Sequence, residues 1–149
     1  MTDKGLNIKV LKISQQEFFI DEEKKILNSE EEIVFTMSSS IGFDKKEEAV
    51  SISILVDFSD KNSGKSMLKG VVRTIFHVEG LNRLQIKNAD SYDIPDNIMT
   101  MLLSLSVTHA RAILATHTNG TAHSELLIPI INPAEFFNQI KKQLEDNQR

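Results

Sequence analysis

The residues whose types could do chemistry are few and poorly grouped. Ser63-Gly64-Lys65-Ser66 has the ending of a phosphate-binding loop, but that loop needs a glycine five positions before Gly64, where Ser59 stands. A strand-like pattern rather than a helix follows, so no helix N-terminus would meet a phosphate. Histidines occur at His77, His109, His117 and His123. His109 and His117 would lie about 80° apart around a helix and share a face loosely. No tight histidine pair and no adjacent carboxylates complete a metal set, and ordinary core or surface histidines are the better account. No Gly-x-Ser-x-Gly nucleophile setting occurs. Asn119-Gly120-Thr121 is a formal glycosylation sequon that serves as a helix stop. The expectation is a protein that is not an enzyme, with no catalytic residues, no metal and no cofactor.

Composition narrows the class further. The chain has 149 residues, 40% hydrophobic and 26% charged, as a single soluble domain would. A formal charge of −4 gives no basic field, so nucleic acid is not an expected partner. Cysteine is absent, which removes disulfides, thiolate zinc ligands and cysteine nucleophiles together. That fits a reducing, cytoplasmic setting. Met1–Lys12 lacks the continuous apolar run of a signal peptide. Ile98–Ala115 is apolar enough to suggest a membrane span, but Ser104, Ser106, Thr108, His109 and Arg111 interrupt it. A buried helix, without membrane insertion, is the expectation. Glu22-Glu23-Lys24-Lys25 and Lys45-Lys46-Glu47-Glu48 are charged pairs that keep loops solvated.

The elements divide the chain into a β half and an α half. Ile33, Phe35, Met37, Ser39, Ile41 and Phe43 alternate with Val34, Thr36, Ser38, Ser40 and Gly42. Period two over that length predicts a long strand covered on one face. Val50–Phe58 alternates in the same way and predicts its antiparallel return. Asp60–Lys65 carries the turn residues Asn62, Ser63 and Gly64. Met67–Val78 is apolar on both faces, which predicts a central strand. In Leu6–Ile20 the apolar phase slips by one residue near Val10, which predicts a bulge there. Asp21–Glu32 is a charged crossover. Hairpin-length links predict a four-stranded antiparallel sheet.

Pro95 suits the first position of a long helix, and Asn119-Gly120 its stop. Between them Ile98, Met99, Met101, Leu102, Leu103, Leu105, Val107, Ala110, Ile113 and Leu114 cover most of the cylinder. Thr100, Ser104, Thr108 and Arg111 form a narrow polar stripe. Such a helix needs cover on more than one side, which predicts a homo-oligomer with Met99, Leu102, Leu103 and Leu105 at or near the interface. A last helix starts at the cap Asn132 with Pro133 and Glu135. Phe136, Phe137, Ile140 and Leu144 form its apolar stripe, and its end frays from about residue 145. The whole chain reads as one domain, 1–149. Its apolar excess either packs inside or lines an open groove, and groove use means protein binding.

The order of features resembles the SecB export-chaperone family. The residues that carry the resemblance are His109-Ala110-Arg111, Asn119-Gly120-Thr121, Leu127-Ile128-Pro129 and Asn132-Pro133-Ala134-Glu135-Phe136-Phe137, with Ile75-Phe76-His77-Val78-Glu79-Gly80 upstream. The resemblance covers most of the chain and implies a SecB-like α+β fold in a cytosolic tetramer, a dimer of dimers. It implies a holding chaperone that binds unfolded precursor proteins in apolar grooves without ATP and keeps them fit for translocation, or one that guards the antitoxin of a toxin–antitoxin pair. Groove residues implied by it are Ile33, Phe35, Met37 and Ile41, Leu127, Ile128 and Ile130, and Phe136, Phe137 and Ile140. Glu17 and Asp21 fall where family members dock the SecA motor. Lys69 stands where an acid is expected, Leu81–Ile94 is longer than usual, and the prolines common early in the long helix are missing. These departures weigh against SecA delivery more than against client holding. Alternatives of other classes are a small-ligand or metal-binding oligomeric domain using His109, His117 and His123, and a module for one fixed partner.

Overall fold

The computed structural model describes residues 7–21, 33–86 and 91–147, with side chains as far as Gln143. Four strands come first: β1 (Ile8–Ile20), β2 (Ile33–Asp44), β3 (Ala49–Asp60) and β4 (Ser66–Val78). A 3-10 turn at Leu81–Leu84 leads to α1 (Asp96–Thr118), and α2 (Pro133–Asn147) closes the chain. The strands form one antiparallel sheet in the order β1-β4-β3-β2, with both helices following it in the chain.

The period-two pattern does what it predicts. Along β2, Ile33, Phe35, Met37, Ser39 and Ile41 are half-buried while Val34, Thr36, Ser38 and Ser40 are exposed. Opposite Met37, Ser39 and Ile41 on β3, Val56, Ile54 and Ile52 are wholly buried. β4 lies inside the sheet between β1 and β3, as its two apolar faces require. β1 slips register at Val10/Lys12, where the sequence phase slips, and again at Gln15/Glu17. The expected charged crossover begins at Asp21, and its residues 22–32 lie outside the described residues.

α1 differs by one residue at its start, because Pro95 has an extended ψ of 139° and acts as the cap. At the other end Asn119 is also extended, and Gly120 alone takes the left-handed turn. α1 lies over β3 and β4. Leu114 sits so close to β4 that a Cβ on Gly70 would stand 2.5 Å from its Cδ2, so the glycine leaves room for this side chain against the strand. α2 begins as expected: Asn132 Oδ1 accepts hydrogen bonds from the amides of Ala134 (3.0 Å) and Glu135 (3.3 Å).

The burial of α1 corrects the interface expectation. By length and composition this helix is apolar enough to cross a membrane, yet much of its apolar surface is spent on its own sheet. Met99 (6% exposed), Leu102 and Leu103 (both 0%) belong to the subunit's own core. Of the four residues assigned to the interface only Leu105 stays on the surface, joined by Met101. The polar stripe is not the outward face either. Thr100, Ser104 and Arg111 are half-buried, and the exposed line runs through Met101, Leu105, Thr108, Ala112 and Thr116. Helical periodicity shows which positions are polar; it does not show which side the neighbouring elements cover.

Candidate functional site: an apolar cleft between β2 and α2

α2 and the connector before it lie along the helix-side face of β2 and leave a two-part cleft. The first cavity, about 360 Å³, lies between Phe35 and Met37 on β2, Ile130 and Ile131 on the connector, and Phe136 on α2, with Asn132, Glu135 and Gln139 forming a polar side. The second, about 610 Å³, is bounded by Ile41 and Phe43 of β2, Tyr92 and Ile94 before α1, and Phe137 and Ile140 of α2. Both are in the size range of pockets that hold side chains or small ligands.

Local sequence accounts for the walls. Alternation on β2 aims Phe35, Met37, Ile41 and Phe43 to one side, where the Phe35 ring packs on Phe58 (4.9 Å) and the Phe43 ring on Tyr92 (4.6 Å). Helical spacing puts Phe136 and Ile140 on one stripe of α2, with Phe137 beside it. The connector is tied down by Arg111, whose Nε donates to the carbonyl of Ile128 (3.1 Å) and Nη2 to that of Pro129 (2.9 Å). Ile130, just beyond, is left 96% exposed at the cleft mouth. Lys141 closes the far rim: its Nζ lies 2.8 Å from the Asp96 carboxylate and 4.6 Å from the centre of the Phe137 ring. Ser39 lies between the two apolar ends, and its Oγ is buried without a hydrogen-bond partner among the described residues.

Of the residues assigned to a groove, Phe35, Met37, Ile130 and Phe136 meet at the first cavity, and Ile41, Phe137 and Ile140 at the second. Ile33, Leu127 and Ile128 line neither. Ile128 is buried in the core, Leu127 is exposed, and Ile33 is half-buried. Sequence reasoning missed Tyr92 and Ile94 as wall residues, since only the fold brings the segment before α1 against β2; Ser39 and Phe43, already on that face of β2 by alternation, join the wall outside the assigned groove set.

Elsewhere the candidate chemistry is scattered. Ser63 and Gly64 form the β3–β4 hairpin, where Gly64 has φ 71° and its amide donates to the Asp60 carbonyl at 2.8 Å. The histidines are separately engaged. His109 Nδ1 meets Thr74 Oγ1 at 3.0 Å, the His117 ring lies 5.1 Å from that of Phe18, and His123 Nε2 contacts the Asp21 carbonyl at 2.5 Å. Partial burial pushes His109 below the ordinary histidine range. Among the described residues no three His, Cys, Asp or Glu side chains gather as metal ligands. Glu17 lies on the sheet face away from the helices, where it pairs across to Val71. Next along that face Phe19 pairs with Lys69, which places a cation between Glu17 and Asp21 at the strand end.

No protein-family model matches the chain, and no curated protein sequence does. Among solved structures it is similar to a SecB-like chaperone of Mycobacterium tuberculosis, determined with a ChAD peptide from the HigA1 antitoxin. The TM-score is 0.50 at 9% identity, over 84% of this chain and 90% of that one. A Streptococcus agalactiae protein of unknown function aligns with a TM-score of 0.37 and 13% identity, over 84% and 98% of the two chains. The first likeness, with the strand order and helix placement above, establishes a SecB-like fold.

Proposed function

We propose that this protein is a holding chaperone that takes extended apolar segments of unfolded polypeptide into the β2/α2 cleft. The observation that carries this is the cleft itself. Two cavities walled by Phe35, Met37, Ile41, Phe43, Phe136 and Phe137 run along one strand and are open to solvent. Holding needs no covalent step, nucleotide or metal, because burying each Leu- or Phe-sized client side chain contributes about 1.5–3 kcal/mol. Several such sites on one assembly add through effective concentration.

The working form is a cytoplasmic homo-tetramer. Val10 and Ile13 support assembly: they pair with Phe76 and Thr74 on the helix-side face of the sheet, yet remain 46% and 41% exposed. With Met101 and Leu105 on the outward line of α1, they supply apolar surface that a second copy covers. The SecB-like neighbour bound to an antitoxin peptide supports antitoxin guarding as a narrower reading. Precursor export with delivery to SecA is the other form, and it places docking at Glu17 and Asp21.

The test is suppression of light scattering when a chemically unfolded client is diluted into excess protein without nucleotide. Unchanged aggregation overturns the proposal.

A further inference from the structure

The two edges of the sheet are built differently. β1 carries two bulges, at Val10/Lys12 and Gln15/Glu17, with Lys9, Lys12 and Glu17 along it. Bulges and charges are the means by which an edge strand is kept from pairing with another chain. β2 has neither. It pairs with β3 without a register shift from Ile33↔Asp60 to Asp44↔Ala49. From Ile33 to Phe43 it holds no Lys, Arg, Asp, Glu or Pro. Among the described residues no strand pairs with its outer side. In an antiparallel ladder alternate residues direct their N–H and C=O to the neighbour, so the remaining set on β2 points outward. This neutral, regular edge is also the wall of the cleft.

We infer that a client segment binds as a fifth strand on β2, its backbone bonded to that edge and its alternate side chains dropped into the two cavities. The inference rests on the holding-chaperone reading and specifies what the site selects. The cavities centre on Phe35/Met37 and on Ile41/Phe43, so Thr36 and Gly42 mark their midpoints. Six residues of strand separate these, about 20 Å at ~3.3 Å per residue. Side chains on one face of an added strand recur every second residue. The first cavity therefore takes positions i and i+2 of the client, the second i+6 and i+8, and i+4 passes Ser39. Ser39, which stands on this face of β2 between Met37 and Ile41, faces i+4 and leaves room there for a small residue. The segment selected is extended, with paired apolar anchors on either side of a small residue.

The probe is a labelled synthetic peptide whose nine-residue core has phenylalanine at its first, third, seventh and ninth positions and serine elsewhere, with a lysine at each end. Binding to the full chain is read by fluorescence anisotropy, beside two derivatives N-methylated on alternate backbone amides, one in each register. One register is expected to weaken binding about tenfold or more, and the other by less than about threefold, because only one set of amides faces β2. Equal losses in both registers overturn strand addition and leave the holding reading intact. Failure of the parent peptide to bind, while an unfolded client is still held, overturns this inference alone; failure with both overturns both. Hydrogen exchange supplies an independent check. Outward amides of β2 that are protected before peptide is added mean that the chain covers its own edge, which also overturns the inference.

Discussion

Arg111 holds Pro129: the guanidinium Nη2 donates to its carbonyl at 2.9 Å while Nε takes the carbonyl of Ile128 at 3.1 Å. One fork from the middle of α1 thus fixes the connector that walls the cleft. Arg111→Ala is expected to cost about 1.5–3 kcal/mol in a urea titration, the usual worth of hydrogen bonds to a charged group. It is also expected to weaken client binding by loosening Ile130 and Ile131. Arg111→Lys restores little, since one ammonium cannot serve both carbonyls in that planar geometry. A lysine variant with wild-type stability and affinity would show that the fork is not what holds the connector.

Ile130 separates folding from binding. At 96% exposure its replacement by Asp should change stability by no more than about 0.5 kcal/mol. Client affinity should fall about tenfold, because the side chain stands at the mouth of the first cavity and its burial is worth at least ~1.4 kcal/mol. Denaturant midpoints and peptide titrations on the same samples check both halves.

Gly70 and Leu114 offer a packing test. Gly70→Ala puts a methyl group 2.5 Å from Leu114 Cδ2, and overpacking of this kind costs about 1–3 kcal/mol. In the double variant Gly70→Ala with Leu114→Ala the clash is gone, so the combined cost should be less than the sum of the two single costs. Thermal melts of the four proteins close the cycle.

His109 should make stability depend on pH. Desolvation lowers its folded pKa relative to the unfolded chain, so below about pH 6.5 the unfolded state binds more protons. Its contribution is complete above that value and is lost as the pH falls through the folded pKa. Urea midpoints at pH 7.5 and 5.0 should therefore differ more in the wild type than in His109→Gln. Equal differences would assign the effect to other groups.

Assembly is tested at Leu105. The wild type should show a solution mass of four subunits of 16.8 kDa, and Leu105→Asp should lower it without loss of secondary structure. A folded wild-type monomer at micromolar concentration would remove the oligomeric part of the proposal.

Much of this fold is written in local patterns. Alternation on β2 and β3, the two apolar faces of β4 and the Asn132 cap are each carried by a few neighbouring residues. The first β1 bulge is legible because apolar residues change phase around it. The second is silent, since Gln15, Gln16 and Glu17 are all polar and a slip among them leaves no hydrophobic trace. The site is half legible for the same reason. Apolar positions on β2 and α2 were visible, but Tyr92 reaches the cleft only through the fold, and Ile128 lies in the core although it resembles Ile130 in sequence. A pattern ranks side chains by polarity; which ones remain uncovered depends on partners far away in the chain.

β1 and β2 are consecutive in sequence but occupy opposite edges of the sheet. β2, β3 and β4 can zip together through short hairpins, whereas β1 must wait for partners such as Val78, which pairs with Ile8 near the other end of the β half. Closing that large loop is entropically costly and slow. During synthesis the first strand therefore leaves the ribosome long before its mate exists. Pulse-labelled exchange should find the β1 amides protected last on refolding, making the N-terminal strand the kinetically exposed part of the molecule.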